Sequence, residues 1–136
     1  MQTPAIVLTL LVFIVGIIRS AYATTDGITL STPSIVDMSG HQKTEIHVGE
    51  PVGFSSVVTN HSSVEQRFTY VVRGLSDNQI QFQEAISANI LPNQSFTVGE
   101  SWTPQATGSY VVQTFLLNGY MISPPTDLIQ TIITVK

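Results

Sequence analysis

Val52-Gly53-Phe54-Ser55-Ser56-Val57-Val58-Thr59-Asn60 places Val52, Phe54, Ser56 and Val58 at alternate positions, the period of a strand with one buried face. Asn60-His61-Ser62-Ser63 closes it as a polar turn. Gln66 to Gly74 repeats the pattern, with Phe68, Tyr70 and Val72 inward and Thr69 and Arg73 outward. Ile80 and Phe82 follow the same rule between glutamines. Leu91-Pro92-Asn93-Gln94 then turns the chain into Ser95 to Trp102, where Phe96 and Val98 share a face. Tyr110 to Leu117 is apolar on both faces, as befits a strand interior to a sheet.

Outward from this centre the pieces are shorter. Ile28 to Leu30 and Ser34 to Met38 are strands split by Pro33, and Glu45 to Val48 is another before the Gly49-Glu50-Pro51 turn. Asn118-Gly119 predicts a two-residue hairpin, since both positions tolerate positive φ. Tyr120 to Ser123 starts the return strand, Pro124-Pro125 interrupt it, and Thr126 to Val135 resume it. Prolines confine such a strand to an edge or a bend. About seven antiparallel strands with turn chemistry every ten or so residues predict an all-β, immunoglobulin-like sandwich over residues 24–136. Trp102 and Tyr110 fit it: an indole fills the space between sheets, and a tyrosine at a strand's start can bond back to the preceding loop.

The first 23 residues are of another kind. Ala5 to Ile18 is apolar save for Thr9 and Gly16, and Ala21-Tyr22-Ala23 follows. A run of about 14 residues suits a signal-peptide core, whereas a membrane span needs about 20. The expected reading is an export signal at residues 1–23, cleaved after Ala23. Basic residues normally precede such a core, but here Arg19 lies beyond it, so an uncleaved anchor helix through residues 4–23 is the alternative. Either reading puts the sandwich outside the cell or in its envelope.

From Thr24 onward, four basic residues face nine scattered acids, a net charge of −5. That balance disfavours nucleic acid as a partner. The absence of cysteine excludes disulfides, thiolate metal sites and thiol nucleophiles, so packing and strand pairing alone must hold the domain.

Val48-Gly49-Glu50-Pro51-Val52, Val57-Val58-Thr59-Asn60, Leu91-Pro92-Asn93-Gln94-Ser95, Trp102-Thr103-Pro104 and Gly108-Ser109-Tyr110 together resemble the CARDB-type, cell-adhesion-related domains. Those are immunoglobulin-like modules of bacterial and archaeal surface proteins. The resemblance covers residues 45–135 and implies a sandwich fold. Its motifs are turns and core positions, which specify architecture and leave function open.

Candidate chemistry is sparse. His41, His47, Met38 and His61 offer imidazole and thioether groups of the kind copper favours. Against a metal site, their spacing fits no recognised motif. No nucleophile elbow, zinc-protease helix, calcium loop or phosphate cradle is present, so no catalytic residue and no cofactor is assigned. Arg67 and Arg73 share an outward face and are expected to pair with Glu65, Asp77 or Glu84. Asn60 and Asn93 each begin an N-glycosylation sequon in a predicted turn. Tyr120, Met121 and Ile122 beside the Asn-Gly turn are a candidate partner contact. The reading that follows is an exported, non-enzymatic module contacting an envelope protein. The alternatives are a copper-binding envelope protein using His41 and His47, and an anchored accessory subunit of a membrane complex.

Overall fold

The computed structural model describes residues 23–25, 27–118 and 128–136, and every element among them is a strand or a turn. The expected anchor or signal helix lies outside these residues, as do Tyr120, Met121, Ile122 and the turn at Gly119. No helix of the described residues is long and apolar enough to cross a membrane.

Two antiparallel sheets face each other. In the first, β4 (Val52–Asn60) pairs along nearly its whole length with β7 (Ser95–Trp102). On its other side it pairs with β2 (Ile28–Leu30) at one end and β3 (Ser34–Val36) at the other. β1 (Ala23–Thr25) lies outside β2. The second sheet runs β6 (Gln79–Ile90), β5 (Gln66–Ser76), β8 (Gly108–Asn118), β9 (Ile129–Val135). The described residues thus hold nine strands where about seven were expected.

The predicted inward rows form the core. Val52, Phe54 and Val58 of β4 meet Phe68, Tyr70 and Val72 of β5, all at most 1% exposed. Three hydroxyls, those of Ser56, Tyr70 and Thr114, lie among them. The Tyr70 hydroxyl sits 3.0 Å from the Ser56 hydroxyl and donates to the Phe54 carbonyl at 3.4 Å, bonding the sheets across the interior. Burial pushes the Tyr70 phenol up to about 12. The Thr114 hydroxyl, by contrast, is fully buried with no hydrogen-bond partner among the described residues. Thr114→Val, which swaps that hydroxyl for a methyl of similar size, should therefore raise stability by about 1 kcal/mol in urea unfolding. A lower midpoint would show that the hydroxyl does have a partner.

Two expectations need correcting. Glu45 to Val48 is not a strand. Only Ile46 bridges Val135, while the Val48 amide donates to the Lys136 carbonyl and the Lys136 amide to the Ile46 carbonyl, clipping down the chain's last residues. Ile80 does not face inward beside Phe82. Gly74 pairs Phe82 and Leu75 pairs Ile80, so Gln81 is an extra, bulged residue. The bulge turns Ile80 to the outer face, where it is 56% exposed. β5 and β6 are joined through Asp77 and Asn78, both at positive φ (51° and 62°), a primed two-residue turn that the strands' twist favours.

Candidate functional site

The sandwich closes most of its edges. β1 is three residues long. β3 is covered by Gln42, which bridges Val36, and by the Lys43 amide donating to the Ile35 carbonyl. β9 is held at its end by Ile46. One flank differs: there β6 edges the second sheet and β7 the first, and neither has an outer partner among the described residues.

β6 dominates this flank. Its sequence, Gln79-Ile80-Gln81-Phe82-Gln83-Glu84-Ala85-Ile86-Ser87-Ala88-Asn89-Ile90, holds no lysine, arginine, proline or glycine, and Glu84 is its one charge. Lysine and proline commonly blunt an edge strand; β6 has instead the bulge at Gln81 and the single charge of Glu84. Nine of its twelve residues are exposed, among them Ile80 and Ile86 (44%). The strand is also braced. On its outer face Arg73 Nε donates to Gln83 Oε1 at 2.8 Å, the Thr69 and Ser87 hydroxyls lie 2.7 Å apart, and Arg67 Nη1 donates to Asn89 Oδ1 at 3.4 Å. These rungs correct the expected carboxylate pairing of Arg67 and Arg73; the Arg73 guanidinium also lies 5.1 Å above the Phe115 ring.

On the inner side, aromatic rings fasten β6 to the body. Phe82 stacks between Trp102 (centroids 4.3 Å apart, 15° between planes) and Phe54 (5.9 Å, 15°), and Trp102 meets Tyr110 edge-on at 5.0 Å. The Tyr110 hydroxyl donates to the Ala106 carbonyl at 2.8 Å, the bond back to the loop expected of a tyrosine at a strand's start. Glu100 of β7 shares this flank with Glu84. Partial burial, then repulsion from Glu84, raises the Glu100 pKa. A carboxyl with a raised pKa in the folded state favours folding in its neutral form, so its cost is absent at low pH and appears as pH rises through the folded pKa. Glu100→Gln should thus raise the melting temperature at pH 7 and leave it unchanged near pH 4. Solvent screening at this half-buried group holds the gain below about 0.5 kcal/mol. An equal change at both pH values would refute the assignment.

The sequence-derived metal candidates are dispersed. His41 Nδ1 lies 3.8 Å from an Asp37 oxygen, His47 Nε2 3.4 Å from Glu45, and His61 Nε2 2.9 Å from the Thr29 hydroxyl. Met38 is exposed, its methyl end over Gly53. Among the described residues no three of His, Asp and Glu gather as a metal would require. The two sequons part company. Asn93 is exposed at a positive-φ turn position. Asn60 is 0% exposed, and its amide nitrogen, the atom that would carry a sugar, donates to the Val64 and Ile90 carbonyls at 2.8 and 3.1 Å. In the fold described, that nitrogen is committed to the interior, unlike that of Asn93. What the sequence reading passed over is the β6 edge. Its signal was available: twelve residues with no basic residue, proline or glycine.

No family model matches the chain, and no curated protein matches it. Solved structures do. The CARDB domain of a Pyrococcus furiosus protein, solved in complex with di-metal ions, superposes with a TM-score of 0.53 at 13% identity, covering 87% of this chain and 97% of that one. A β-glucosidase from Erythrobacter marinus gives 0.59 at 12% identity over 80% of this chain. A β-glucosidase from Listeria innocua gives 0.53 at 12% over 79%. The chain spans 15% of the length of each of these enzymes. Likeness at such identities is likeness of fold. By fold, then, the chain is a CARDB-like, immunoglobulin-type β-sandwich.

Proposed function

We propose that this protein is an exported, non-enzymatic module that works through protein–protein contacts at the cell envelope, and that β6 is its contact edge. The observation that carries the proposal is the contrast between edges: β1, β3 and β9 are short, covered or clipped and β7 has eight residues, while β6 has twelve, is braced, and holds no basic residue or proline. An edge of this kind takes an added strand through main-chain hydrogen bonds, with alternate side chains supplying specificity. The apolar run before Arg19 and the Ala21-Tyr22-Ala23 site support export.

The test is a photoreactive residue placed at Ser87 or, as a control, at Ile132 of β9, which is 73% exposed on the outer face. In intact cells that export the protein, Ser87 should capture a consistent neighbour and Ile132 should not. Equal capture from both positions, or none from either, would overturn the assignment of the edge. Mass spectrometry of the exported chain decides the anchor question: a first residue of Thr24 removes the membrane helix.

A further inference from the structure

Resting on the reading of β6 as the contact edge, we propose that its occupant is β6 of a second copy of this chain, paired antiparallel about a two-fold axis at Ile86. The bulge at Gln81 ends regular pairing on one side, and the turn after Ile90 ends it on the other. Nine regular residues, 82–90, remain, and Ile86 is their midpoint.

The register about that midpoint is self-complementary. Ile86 meets the second Ile86, covering an inward-row side chain left 44% exposed in the single copy. Phe82 lies opposite Ile90, and Glu84, the strand's one charge, opposite Ala88. On the outer face Ala85 meets Ser87 and Gln83 meets Asn89, amide against amide. No like charges oppose each other directly, the arrangement that destabilises cross-strand pairs. The rungs from Arg67, Thr69 and Arg73 hold β6 extended beforehand, which lowers the ordering cost of pairing. A two-fold contact uses the same edge on both copies and closes on itself, so it ends at a dimer and builds no fibre. β7 is the weaker candidate: it is eight residues long, contains Gly99, and has no large apolar side chain as exposed as Ile86.

The native chain lacks cysteine, so an engineered thiol can couple only to another engineered thiol. Residues directly opposite across antiparallel strands have Cα atoms about 4.5–5.5 Å apart, within disulfide reach, while diagonal neighbours at about 7–8 Å are not. Ala85→Cys mixed with Ser87→Cys should therefore give a disulfide-linked dimer on oxidation, several-fold more than either variant alone. Sedimentation equilibrium of the full chain should show a monomer–dimer equilibrium that Ala85→Lys weakens at least tenfold. Ala85 is exposed on the outer face, so the lysine guards the edge without entering the core. Three results would each overturn the proposal: a monomer at every concentration, a dimer indifferent to Ala85→Lys, or mixed thiols coupling no better than single ones. A monomer in solution whose Ser87 probe captures a different protein on cells would sink self-pairing and leave the contact-edge reading standing. Failure of both experiments would remove both.

Discussion

Gly74→Ala is expected to destabilise the domain by about 3 kcal/mol, the upper end of the usual range for overpacking. Gly74 lies on β5 beneath the Phe82 ring, and a Cβ built there would overlap the ring's Cε1 edge. A flexible side chain would swing aside at little cost. Phe82 cannot, because Trp102 lies on one side of it and Phe54 on the other. The added methyl must therefore break the stack or push β5 from β6 beside the bulge. Urea unfolding should show a lower midpoint with an unchanged slope. In a Phe82→Leu background the same methyl meets a smaller, movable neighbour, and its added cost should fall below about 1 kcal/mol. If Gly74→Ala is neutral on its own, the stack is not the clamp described above.

Asn60→Ala is expected to cost a similar amount, about 3 kcal/mol, because buried groups lose their partners. Besides donating to the Val64 and Ile90 carbonyls, the Asn60 carboxamide accepts from the Ser62 amide and hydroxyl through Oδ1, at 2.9 and 2.7 Å. Alanine leaves the Ile90 carbonyl without that donor in the interior. The Asn60 backbone adds to the joint, donating to the Gln94 carbonyl and accepting from the Asn93 amide. One residue thus ties the end of β4 to both the following turn and the β6–β7 connection. Thermal unfolding checks the cost. Intact-mass measurement of chains exported from a glycosylating host checks the corollary: any sugar should sit on Asn93 and vanish with Asn93→Gln. A folded chain glycosylated at Asn60 would contradict the geometry.

The fold was legible wherever one strand face is buried and the other wet. The alternation in β4 and β5 gave the core rows directly, and the Trp102 and Tyr110 positions gave the late strands, because burial acts residue by residue with period two. The β6 edge was less legible for a physical reason. Whether a strand lies at an edge depends on which strands pair, and that is a property of the whole chain. The bulge at Gln81 then broke the period, so Ile80 looked inward when read beside Phe82. Asp77-Asn78 was passed over because Asn118-Gly119 is the stronger turn signal, although Asp and Asn both tolerate the left-handed region. The polar side chains misled most. Asn60 within a sequon and two arginines near carboxylates invite short-range readings, yet their partners are a carbonyl 30 residues away and amides on the neighbouring strand.

Trp102 is the chain's sole tryptophan, and it rests on Phe82 at the flank where β6 is open. Its indole emission therefore reports on that flank alone, with no competing fluorophore of its kind elsewhere in the molecule. A strand added to β6 should dry the neighbourhood of the ring and shift its emission to the blue, so an unlabelled titration can follow occupancy of the edge in real time.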